Sequence, residues 1–142
     1  MSCRFFAAWI EIYYCYHSRN WFLQTLCGAV CVFFNQDDRT YVEPDISVIC
    51  DPSKLNDRGC FGAPDWIIEV VSPGSQRIDY MIKLFEYRTA GVREYWIVDK
   101  SKNRIIVYNF EQNDMSEYTF SDIVPASIYE NLKIDFSAID EI

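Results

Sequence analysis

Residues 65–99 read DWIIEVVSPGSQRIDYMIKLFEYRTAGVREYWIVD, and this stretch decides the fold. Its first seven residues are rich in β-branched side chains and bounded by turn residues, which predicts a short buried strand. Glu69 interrupts the apolar run. Burying an unpaired carboxylate is costly, so Glu69 requires a partner inside the fold. Ser72, Pro73, Gly74 and Ser75 then break the strand. Ser75 stands where it can cap a helix running to Ala90, with Gly91 as the stop signal. Ile78, Met81, Ile82, Leu84, Phe85 and Ala90 are the expected apolar side of that helix. Asp79 and Lys83 lie one turn apart on another face, as i,i+4 neighbours. Residues 94–99 (EYWIVD) return to strand. Strand, helix and strand in this order predict an α/β fold with a mixed central sheet.

Working outward, residues 104–110 (RIIVYNF) pair with 94–99 across the polar turn 100–103 as a β-hairpin. Residues 117–124 are expected to add a strand and 137–142 a short closing helix. Upstream, residues 51–64 are dense in turn residues and read as a loop. Residues 41–50 (YVEPDISVIC) alternate apolar and polar positions as a half-buried strand does, with Pro44 marking an edge or the strand's beginning. Residues 35–40 are a polar turn, and Trp21, Phe22, Leu23, Leu26 and Val30 give a weak helical period. There is no internal repeat or low-complexity tract. A single domain over 1–142 follows, with 1–34 its least regular part.

Half of the 142 residues are apolar, and ten Tyr, ten Phe and four Trp supply the means for a packed core. The formal charge of −8 argues against a nonspecific nucleic-acid coating protein, which would use Lys and Arg to displace phosphate counterions. An acidic metal site is compatible with it, because divalent cations neutralise such charge. Cysteines at 3, 15, 27, 31, 50 and 60 show no CxxC spacing and His17 is the only histidine, so a zinc cage is not expected. Arg4, Glu11, His17 and Arg19 interrupt the apolar N-terminal patches, so neither a secretory leader nor a membrane span is expected. A cytoplasmic protein with reduced thiols is the simplest account.

Asp45 and Glu69 fall in two expected central strands, separated by a loop long enough to set those strands side by side. Two carboxylates converging on one point repel each other unless a cation lies between them. Oxygen ligands of this kind suit Mg²⁺ or Mn²⁺, which keep several waters and activate one for attack on a phosphodiester. Such chemistry gains from a lysine near the scissile phosphate. Val71 occupies the strand position two after Glu69, and Lys83 on the following helix is the nearest candidate. The same residues admit a structural reading: Asp45 as a turn former after Pro44, Glu69 as an ion-pair partner, and Lys83 with Asp79 as a solvated helix pair. Tyr80, Tyr87 and Tyr95 could stack on bases, but packing is the commoner use of such residues.

Four stretches, VEPDISVICDPSK (42–54), GAPDWIIEVVSP (62–73), DYMIKLFEY (79–87) and AGVREYWIVD (90–99), resemble in order the motifs of the Uma-type family of putative restriction endonucleases. That family has the PD-(D/E)XK nuclease fold. The resemblance implies a restriction-endonuclease-like central sheet flanked by helices and a Mg²⁺-dependent site that cleaves DNA. It places Asp45 at the family's first acidic position and Glu69 at the second, both as metal ligands, and Lys83 as a lysine migrated to the helix. Asp79 matches a recurrent acid of that helix. Residues 1–20 depart from the pattern, with His17 a counterpart of a family histidine, so 1–34 is read as an atypical or truncated N-terminal part. The competing expectation is an inactive nuclease-fold module that binds nucleic acid or protein. A homodimer through Trp9, Tyr13, Tyr14, Tyr16, Trp21 and Phe22 is a further expectation.

Overall fold

A computed structural model describes residues 24–27, 30–35, 40–74 and 77–139. Its elements, in chain order, are β1 (Gln24–Cys27), β2 (Val32–Phe33), β3 (Ile46–Ile49), β4 (Leu55–Asn56), β5 (Gly59–Phe61), β6 (Trp66–Val70), α1 (Arg77–Ala90), β7 (Glu94–Asp99), β8 (Arg104–Asn109), β9 (Asp114–Tyr118), β10 (Ile123–Pro125) and β11 (Lys133–Asp135). Short 3₁₀ turns cover Pro52–Lys54 and Phe136–Ala138.

Six strands form one sheet in the order β1-β3-β6-β7-β8-β9. Only the β6–β7 pair is parallel, because α1 carries the chain back between them; the other pairs are antiparallel. The sheet is therefore mixed, as expected. The turns after β7 and β8 place Asn103 and Asn113 at φ 49° and 53°, the left-handed region that asparagine tolerates. All six residues of β7 are buried, as befits a strand flanked on both edges and covered on both faces.

The alternation of side chains divides the core. Trp66, Ile68, Trp96, Val98, Ile105 and Val107 face the C-terminal segment, where Val124, Leu132, Ile134 and Phe136 close over them. Ile67, Tyr95 and Ile97 point to the other face and pack with Tyr87 of α1 and with Val92. A second sheet, β2-β5-β4, packs Val32 and Cys60 against Ile49.

Several local expectations are corrected. Within the region read as a helix, Gln24–Cys27 is an edge strand paired with Ile46–Ile49, because an open sheet edge outweighs a weak helical period. Residues 21–23 lie outside the described residues. The strand expected over 41–50 is confined to Ile46–Ile49, with Val42 bridging Val32 instead. Asp45 thus stands at the mouth of its strand rather than inside it. The loop at 51–64 holds the β4–β5 hairpin, too short to show alternation. Strand 117–124 is replaced by β9 and β10, separated by a turn in which Asp122 accepts from the Thr119 N–H. The closing helix is reduced to the turn Phe136–Ala138, and residues 140–142 lie outside the described part.

The helix face is the largest correction. Met81, Ile82 and Phe85 are more than half exposed, while Tyr80, Leu84 and Tyr87 pack on the sheet. Counting tyrosine as apolar gives the spacing i, i+4, i+7, which is the stripe actually buried.

Candidate active site

Pro44 cannot donate to a β-ladder, so β3 starts at Ile46 and leaves Asp45 at its entrance. The β3–β6 register pairs Ile46 with Ile68, which carries Asp45 next to the end of β6 that bears Glu69. Asp45 Oδ2 accepts a hydrogen bond from the Val70 N–H at 2.7 Å. The carboxylate thereby ties the two strands together at the point where the ladder stops.

Glu69 alternates with Ile68 and Val70, so its side chain leaves β6 on the face that α1 covers. It is 4% exposed. The partner that its burial demands comes from the helix. The Lys83 ammonium donates to Glu69 Oε1 at 3.0 Å, and the Tyr87 hydroxyl donates to the same oxygen at 2.6 Å. Lys83 and Tyr87 are one turn apart, so a single helix face delivers a cation and a hydroxyl to one atom. Tyr87 is fully buried, whereas the Lys83 side chain keeps 35% exposure and reaches the carboxylate from the solvent side. The Lys83 ammonium also lies 6.0 Å from the centroid of the Tyr80 ring.

Burial pushes the Glu69 carboxyl above its ordinary value; the Tyr87 hydroxyl and the Lys83 charge draw it back, and the nearby negative charge of Asp45 raises it again. A buried acid with a second acid beside it gains from a cation placed between them. Among the described residues no group of three or more His, Cys, Asp or Glu gathers at one point. Among the described residues the donor set is two carboxylates, which suits a hard ion that keeps most of its waters. The pair fits Mg²⁺ or Mn²⁺ in that sense and does not fit zinc, which asks for four protein ligands or three with His or Cys among them.

The arrangement brings together the three residues singled out in the sequence: Asp45, Glu69 and Lys83. Lys83 pairs with Glu69, and the Asp79 side chain expected beside it lies outside the described residues. Sequence reading missed Tyr87 as a partner of Glu69. Its signal was available: Tyr87 stands four residues after Lys83 and would share its face. Tyr95 is also fully buried, stacked edge-on to Tyr87 at 4.9 Å between centroids, so neither ring is open to a base. No described helix is long and apolar enough to cross a membrane. Cys31, Cys50 and Cys60 are free thiols.

Comparison with known proteins bears on this geometry. A solved structure described as a putative nuclease belonging to DUF820, from Anabaena variabilis ATCC 29413, is similar with a TM-score of 0.74 and 18% identity. The likeness covers 98% of this chain and 78% of that one, and it concerns the fold. No curated protein matches the chain. The model of the Uma2 family, described as "Putative restriction endonuclease", matches residues 4–136, a span that starts well before the motif at 42–54. With its mixed sheet, its paired acids and nearly its whole length inside that match, the chain belongs to the Uma2 family of putative restriction endonucleases.

Proposed function

We propose that this protein is a metal-dependent endonuclease that hydrolyses DNA phosphodiester bonds, with Asp45 and Glu69 holding Mg²⁺ or Mn²⁺ and Lys83 acting beside the phosphate. The observation that carries this reading is the meeting of Lys83 with Glu69 at 3.0 Å, on a carboxylate already burdened by Asp45. A bound divalent ion would supply a water of lowered pKa and charge for the phosphate oxygens. Asp45, fixed by the Val70 N–H, keeps its carboxylate at the strand entrance. Tyr87 holds Glu69 in one rotamer from the buried side. Lys83, partly exposed, can exchange its contact with Glu69 for a phosphate oxygen without leaving its helix face. Its charge then stands where negative charge develops.

Titration of Mn²⁺ into the protein and into Glu69→Ala tests the ligands. Binding is expected for the parent alone, with cleavage of plasmid DNA lost in Glu69→Ala by about 10² or more and reduced in Lys83→Ala. Cleavage by Glu69→Ala at the parent rate would remove Glu69 from the site. The competing reading, an inactive nuclease-fold module, is supported by the net charge of −8. It would prevail if neither protein took up Mn²⁺. A homodimer through the aromatic residues before position 23 belongs to the same proposal, and a monodisperse monomer in light scattering would remove it.

A further inference from the structure

Between α1 and the strands β7 and β8 lies a cavity of about 360 Å³ with Arg77, Tyr80, Asp99, Lys102, Arg104 and Tyr108 in its wall over an aliphatic floor. Ile97, the register partner of Glu69 on β7, lies in its wall. Val71, two residues after Glu69 on β6's exit, lines it, and Tyr80 is at once part of its wall and a ring over which the Lys83 ammonium stands, 6.0 Å from the centroid. The charge of this wall is opposite to that of the whole chain: three cations face one carboxylate, in a protein of net charge −8.

The carboxylate is already engaged. Asp99 accepts from Ser101 Oγ at 2.7 Å and from the Lys102 N–H at 3.2 Å, with the Lys102 ammonium 3.7 Å away. Arg104 meets Glu117 only at 4.0 Å, and its buried Nε donates no hydrogen bond. The wall therefore keeps cationic donors for an anion, next to aromatic and aliphatic surface for a flat apolar body. A free phosphate would leave that surface unused. A nucleotide uses both: its phosphate pairs with the cations and its base lies along the tyrosine rings. The volume stands at the lower end of small-molecule sites, about 300 to 1,000 Å³, which is the scale of one nucleotide.

We propose that this cavity is a subsite for one unstacked nucleotide next to the bond that is cut, so that the substrate class is single-stranded or locally unpaired DNA. The inference rests on the nuclease reading above. A base inside a duplex cannot enter a pocket of this kind without being unpaired and unstacked, whereas a single strand presents it directly. Tyr80 then links the subsite to Lys83.

The test is made without metal, so that it reads binding and not hydrolysis. Fluorescence anisotropy in EDTA compares a labelled single-stranded oligonucleotide with the same sequence as a duplex, with dAMP and inorganic phosphate as competitors. The single strand is expected to bind about tenfold more tightly or better, and dAMP to displace it at lower concentration than phosphate does. Arg77→Glu and Lys102→Glu alter exposed side chains and leave the core alone; each should weaken the single strand several-fold or more. Tyr80→Leu keeps apolar packing and the charge of the wall, and should weaken it by about tenfold. Circular dichroism confirms that each variant is folded. Equal affinity for both forms, or binding by the folded Tyr80→Leu at the parent level, would overturn the subsite. Failure here is separable from failure of the nuclease reading. Metal-dependent cleavage that ignores Tyr80→Leu and strandedness removes the subsite alone, whereas selective binding of single strands with no cleavage under Mg²⁺ or Mn²⁺ removes the nuclease reading alone.

Discussion

Glu69 is held by two donors on one oxygen, and they differ in kind. Lys83 is partly exposed and contributes through charge that solvent screens, whereas the Tyr87 hydroxyl is buried and directional. Removing the hydroxyl in Tyr87→Phe should lower stability by about 1.5–3 kcal/mol, the usual worth of a hydrogen bond to a charged group. It should also raise the Glu69 carboxyl further, because a hydrogen bond to the charged form favours ionisation and its loss does the reverse. Urea unfolding measures the first effect and carbon-detected NMR of the carboxyl the second. A variant with parent stability and an unmoved carboxyl would mean that the contact does not form in solution. At this scale the sequence was legible for acids and opaque for their partners. An acid in a run of Ile and Val advertises its need, but the tyrosine that answers it looks like any other core aromatic.

The elements were legible where periodicity had length to develop. β6, α1, β7 and β8 lie where their sequence placed them, because each has five or more residues and clear punctuation. The β2-β5-β4 sheet was not, since strands of two and three residues carry no pattern and depend on neighbours brought from elsewhere. Gly59 shows how tight that docking is. Its φ is +138°, and a Cβ there would stand 2.1 Å from the backbone oxygen of Cys31, which accepts the Cys60 N–H at 2.9 Å. Gly59→Ala must displace backbone, so it should cost about 2 kcal/mol or more and open the small sheet. Gly74, at φ +92° with nothing within 4 Å, provides the control. Gly74→Ala carries only conformational strain, about 1–2 kcal/mol. Thermal unfolding of the two variants side by side measures the difference, and equal losses would show that the clash is relieved without cost. The exposed side of α1 was misread for a related reason: a helix pattern scores Met81, Ile82 and Phe85 as core, although the sheet selects the tyrosine stripe.

For the molecule as a whole, Glu94 joins the central sheet to the C-terminal segment. It is fully buried, and it accepts from Trp96 Nε1 at 2.6 Å, from the Ser127 N–H at 3.3 Å and from the Ile128 N–H at 3.1 Å. Burial pushes its carboxyl above the ordinary value, against the pull of these three donors. A raised carboxyl in the folded state gives stability that is complete below the unfolded value, 4.5, and declines as pH rises through the folded value. Glu94→Gln lacks this titration. The stability of the parent relative to Glu94→Gln should therefore be greater at pH 4.5 than at pH 7.5, as read from urea midpoints at the two pH values. A difference that grows with pH would contradict the raised carboxyl. The position was visible in the sequence only as one more strand residue; its two backbone donors lie more than 30 residues away, beyond what local patterning can report.

The placement of Lys83 has a mechanical meaning. In a site whose acids and base share one strand, the backbone ladder fixes all of them together. Here the acids belong to the sheet and the amine to a helix that rests on it through Tyr80, Leu84 and Tyr87. If these residues form the site proposed above, competence is a question of posture: a slip of the helix by a fraction of a turn would disarm it while leaving both acids in place, as a safety catch separates hammer from pin.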